Sequence, residues 1–154
     1  MKRTLVIALA LTLVLAVVSV TVWAGPSRQG TVPVTPKEAD LLAGVKTTLG
    51  TMEVTLSVDG TFTLVEDPET EFGAAPTGLD FLSDTGTFAL AKEGDITVCY
   101  PYPQAVKDLS GDIYKWDEDA KEWVVTESTI SGDPPMICFT DKGVMGGTYS
   151  LLGG

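Results

Sequence analysis

The chain has no histidine and no asparagine, only two cysteines, and 10 basic residues against 21 acidic ones in 154 positions. Each shortage removes a class of chemistry. Without histidine there is no imidazole general base, no Ser-His-Asp or Cys-His arrangement and no His-ligated metal. Without asparagine there is no N-glycosylation acceptor. A formal net charge of −11 opposes binding to phosphate backbones, which takes clustered Lys and Arg, so a nucleic acid is not an expected partner. No G-x-S-x-G elbow, phosphate-cradling Gly loop or H-E-x-x-H helix occurs.

The one long apolar run is at the start. Lys2 and Arg3 precede an uncharged stretch from Leu5 to Val22. Val22-Trp23-Ala24 then places small or aliphatic residues at −3 and −1, and Gly25-Pro26 breaks any helix. This pattern is a secretory signal peptide over residues 1–24. The run also reaches the length of a membrane span, so an uncleaved anchor is the competing reading. With cleavage, the mature chain keeps 8 basic and 21 acidic residues and no membrane segment. It is then secreted, extracellular or held in the cell envelope. Residues 25–50 read as a linker bearing Pro26, Pro33 and Pro36, with a short helix over Lys37–Val45.

From Thr51 the hydrophobic period is two. Met52, Val54, Leu56 and Val58 alternate with polar residues, Asp59-Gly60 follows, and Phe62 and Leu64 resume the alternation. Alternation on both sides of Asp-Gly predicts a hairpin. Residues 66–78 are acidic, with Pro and Gly, and read as a long loop with an edge segment near Phe72. Leu79–Leu82, Thr87–Leu90 and Asp95–Tyr100 are strand candidates. Ile113–Trp116 and Trp123–Val125 flank Asp117–Glu122. A turn centred on Asp119-Ala120 sets Trp116 opposite Trp123, Tyr114 opposite Val125 and Glu118 opposite Lys121. Strands are also expected at Thr126–Ile130, Met136–Phe139 and Thr148–Leu152, with turns at Ser131–Pro135 and Asp141–Gly147. The length allows one domain. Short strands at regular spacing, with no long helix, predict an all-β antiparallel β-sandwich over residues 51–154, immunoglobulin-like in the broad sense.

Cys99 and Cys138 fall on expected strands of an exported chain, and an even count in an oxidising compartment reads as a disulfide. Two unpaired core thiols are the alternative. The acidic runs Glu66–Glu71 and Asp117–Asp119 match no EF-hand and read as solvated surface charge, so no metal or cofactor is expected. Tyr114, Trp116 and Trp123 are candidates for an aromatic ligand face of the sugar-stacking kind, against the plainer reading as packing residues. Carboxylate pairs are abundant, but short loops offer little cleft in which to shift a carboxylate for glycoside hydrolysis. No catalytic residue is assigned.

Four segments, taken jointly, carry a resemblance: Asp95-Ile-Thr-Val-Cys-Tyr-Pro-Tyr-Pro103, Ile113–Trp116 with Glu122-Trp123-Val124, Ile137-Cys138-Phe139, and Gly147–Leu152. From about Thr51 onward the chain resembles a poorly characterised, Cys-paired β-sandwich module found at the C-terminal end of bacterial secreted and cell-surface proteins. The resemblance implies a structural or interaction role with no known catalytic residues. The expectation is therefore an exported, non-catalytic structural or interaction module with an unknown protein or glycan partner. The alternative is a small carbohydrate-binding module that uses its aromatic side chains.

Overall fold

Alternating apolar and polar residues bury one face of a strand, and this chain uses that device in strands long enough to fold over themselves. The computed structural model describes residues 34–102 and 110–154. The expected signal peptide (1–24) and linker residues 25–33 lie outside them. The elements are β1 (Glu38–Leu41), β2 (Thr47–Leu49), β3 (Met52–Leu56), β4 (Gly60–Val65), α1 (Pro68–Glu71), β5 (Asp80–Phe81), β6 (Thr85–Pro101), β7 (Gly111–Asp117), β8 (Glu122–Val125), β9 (Thr129–Ser131) and β10 (Met136–Gly153). All strand pairings are antiparallel.

The fold is one sheet bent double into two layers, an all-β, sandwich-like architecture. In one layer the order is β1-β4-β6-β10-β7-β8, using the first half of β6 and the second half of β10. In the other it is β2-β3-β6-β10-β9, using the remaining halves. The pairing of β6 with β10 shifts register between Asp141 and Gly146, where the layers turn over. Side chains tie this bend: the Asp95 N–H donates to Ser57 Oγ at 2.7 Å, and the Gly143 N–H donates to Asp95 Oδ1 at 3.0 Å.

Three expectations are corrected here. The segment over Lys37–Val45 forms strand β1 and a turn instead of a short helix, so the sheet begins upstream of Thr51. Asp59-Gly60 does not close a hairpin. β3 and β4 both pair with β6, in different layers, and behave as one strand bent at Ser57–Asp59. Gly60 is needed there because a Cβ would lie 2.7 Å from the Ala89 carbonyl oxygen. The turn expected at Asp141–Gly147 is the bent middle of β10, whose 18 residues join what read as two strands.

The inner faces of the two layers share one core. Met52, Val54 and Leu56 meet Phe62, Phe88, Ile96, Val98, Tyr100, Ile113, Ile137, Tyr149 and Leu151, all buried. Apolar burial of this kind stabilises by roughly 1.5–3 kcal/mol per large side chain. A smaller cluster lies on the opposite face of β7, β8 and β10, where Trp116, Trp123 and Leu152 pack with Phe72, Leu79 and Phe81. Cys99 and Cys138 form a disulfide, S–S 2.05 Å, between directly opposed residues of β6 and β10. It braces one layer and does not cross the core.

Candidate ligand groove

The β7–β8 hairpin forms as its register demands. The Asp117 carboxylate accepts the N–H groups of Asp119 and Ala120, both at 2.9 Å, and Lys121 takes a positive φ of 56° to complete the reversal. Those backbone hydrogen bonds hold the Asp117 carboxyl below its ordinary value, Ala120 contributing most. Trp116 then lies opposite Trp123 and Tyr114 opposite Val125. The Lys121 ammonium reaches Glu118 at 2.9 Å and lowers its carboxyl by hydrogen bonding.

The two indoles are nearly buried, 6% exposed at Trp116 and 5% at Trp123. Their rings meet edge to face at 5.4 Å. Phe72 and Phe81 close over them, with centroids 5.5 Å from Trp116 and from Trp123 respectively. The indole N–H of Trp123 donates to the Gly73 carbonyl at 3.3 Å. Tyr114 is half-buried beside them. The cover comes from residues 66–82. There Asp67 caps α1 by accepting from the Thr70 N–H and hydroxyl, and Pro68 occupies the first turn. Asp-Pro is a usable helix-start signal, and Phe72 is the residue that anchors this cover.

The open site lies across the same hairpin, and Trp116, but neither Tyr114 nor Trp123, is part of its lining. The pairing of β7 with β10 stops at Lys115 opposite Tyr149, so the hairpin tip splays away from Gly147 and Thr148. In the other layer β9 reaches only as far as Cys138. Among the described residues the inner surface of the tip is therefore uncovered. The result is a groove of about 710 Å³ walled by Val124, Phe139, Gly147 and Thr148, with Asp117, Asp119 and Glu127 around it.

Lys115 sits in the groove wall and pairs with Asp141 across the layers at 2.5 Å. The Tyr149 hydroxyl donates to the same Asp141 oxygen at 2.7 Å. Burial raises the Tyr149 phenol, and the bond to Asp141 raises it further. A Cβ at Gly147 would collide with this hydroxyl, which explains a glycine at the groove floor. This arrangement satisfies its own charges. No three His, Cys, Asp or Glu side chains converge as a metal-binding group among the described residues. The groove was hard to foresee, because it arises from where two ladders stop pairing. The glycines at 146 and 147 were the available signal.

Comparison with protein-family models, curated proteins and solved structures found no match to this chain.

Proposed function

We propose that the chain is an exported, non-catalytic interaction module of the bacterial cell surface or surroundings, and that it engages its partner through the groove between the β7–β8 hairpin and β10. The observation that carries this reading is the groove itself: an uncovered, partly apolar cleft of about 710 Å³ beside a core whose buried polar side chains are all bonded among the described residues. Pockets of roughly 300–1,000 Å³ suit small ligands or a few residues of a partner. Export is supported by the leader pattern at residues 1–24 and by a disulfide that belongs to an oxidising compartment. The resemblance to the Cys-paired module of bacterial surface proteins supports the same role.

The carbohydrate-binding alternative rests on Tyr114, Trp116 and Trp123. A sugar-stacking platform needs an open aromatic face, whereas Phe72 and Phe81 occupy the face of this Trp pair. That burial favours the groove over the aromatic face. Parallel glycan-array and peptide-array screens test the choice, run on the protein and on a Val124→Arg variant that fills the groove from an exposed position. A ligand bound by the protein and lost in the variant is the expected result. A glycan whose binding survives Val124→Arg but is lost on Tyr114→Ala would move the function to the aromatic face.

A further inference from the structure

β8 is the outer strand of its layer: among the described residues it pairs with β7 alone. The Thr126 N–H donates to the Ile113 carbonyl at 2.9 Å. Alternation along an antiparallel ladder then makes 115/124 and 117/122 the bonded pairs, and directs the N–H and C=O of Trp123 and Val125 outward. Sheet edges are commonly blunted by Lys, Pro or a bulge. None interrupts Trp123–Val125, and Val124 and Val125 are 41% and 54% exposed on opposite faces. The edge runs along the groove, which Val124, Val125 and Glu127 all line.

The charge around this edge has one sign. Asp117, Glu118 and Asp119 lie at the hairpin tip and Glu127 at the far end. Among the described residues, the two nearby cations are already engaged, Lys115 by Asp141 and Lys121 by Glu118. Building on the groove reading above, we infer that β8 accepts an extended cationic peptide as an added strand, with alternate small apolar side chains entering the groove and Lys or Arg side chains meeting Asp119 and Glu127. Strand addition draws affinity from main-chain bonds and specificity from alternate side chains. A second copy of this chain fits poorly. Antiparallel pairing of two β8 edges sets the acidic tip of one beside Glu127 of the other, and like charges there are repulsive.

The test uses a labelled Lys-Val-Lys-Val-Lys-Val peptide and its Glu-Val-Glu-Val-Glu-Val counterpart, followed by fluorescence anisotropy on the purified, oxidised protein. The cationic peptide should bind, more weakly as salt is raised, and the acidic one should not. Val125→Pro removes only an outward N–H, a substitution that edge strands tolerate, and should weaken binding by about tenfold or more with little change in melting temperature. The exposed pair Asp119→Lys and Glu127→Lys should weaken it by a similar factor of about ten while leaving every ladder bond intact. Equal binding of the two peptides, or retained binding in the charge-reversed variant, would overturn the inference. So would a dimer in sedimentation that Val125→Pro dissolves. Amide shifts at Val124 and Gly147 separate the two levels. If a glycan or an acidic peptide moves them while the cationic peptide does not, the groove reading stands and the cationic strand is wrong. If none of the three moves them, both fail.

Discussion

Replacing Trp123 with Ala probes the smaller cluster, and the structure sets the size of the effect. The side chain is 5% exposed and meets Trp116, Phe72 and Phe81 at centroid distances of 5.4, 6.0 and 5.5 Å. Truncating a buried aromatic residue costs roughly 3–5 kcal/mol. Each edge-to-face pair adds about 0.5–1.5 kcal/mol beyond its buried area, and the Gly73 carbonyl loses its donor. A loss near 4 kcal/mol is expected, about 15 °C in melting temperature for a domain of roughly 120 residues. The cluster lies on the face of β7–β8–β10 opposite the main core, so the damage should be uneven. Hydrogen exchange should quicken first at residues 68–76, whose Phe72 and Ala75 pack on this cluster, while the amides of Val98 and Tyr100 keep their protection until global unfolding. Calorimetry with exchange mass spectrometry reads both. A melting temperature lowered by less than about 4 °C, corresponding to some 1 kcal/mol, would refute the packing argument. So would uniform loss of protection across both clusters.

Other outcomes follow from the same geometry. Thiol titration of the denatured, unreduced protein should find no free cysteine, and Cys99→Ala should cost about 4 kcal/mol for closure of a loop spanning 39 residues; two free thiols would contradict the bridge. Burial raises the Tyr100 phenol, and burial with the Asp141 bond raises that of Tyr149. A raised group stabilises the fold below its ordinary value near 10 and ceases to do so as pH rises beyond it. Stability should therefore fall above about pH 10, with tyrosinate absorbance rising together with loss of sheet signal; a smooth titration of all tyrosines in folded protein would contradict this. Intact-mass analysis of secreted material should place the mature N-terminus at Gly25, whereas a membrane-associated species retaining Met1 would establish the anchor instead.

Local register was legible in the sequence, and layer topology was not. The Asp-Glu-Asp-Ala-Lys-Glu turn fixed Trp116 opposite Trp123 because both strands and their connection are contiguous. The cysteine pair was legible because the chain has two cysteines and both fall on expected strands. Asp59-Gly60 misled, because the same dipeptide serves a hairpin or a bend, and the choice depends on a distant strand, β6, lying beside both halves. Lys92-Glu93-Gly94 and Asp141–Gly147 likewise look like turns, but antiparallel partners carry them through as bent strand. The edge segment expected near Phe72 is instead the end of the short helix α1, which places Phe72 over the indoles. The groove was the least legible feature, since the ladder ends at Lys115–Tyr149 and Cys138–Thr129 that create it are properties of four strands together.

Hydrogen exchange at the outward amide of Val125 reads strand addition at β8 itself. In the free protein this N–H points away from β7 and should exchange rapidly, while that of Val124, bonded within the ladder, exchanges slowly. With the Lys-Val-Lys-Val-Lys-Val peptide bound, the Val125 amide should slow by about tenfold or more as it enters a new ladder bond. Unchanged exchange at Val125 in protein saturated with that peptide would contradict the account and place the binding surface elsewhere.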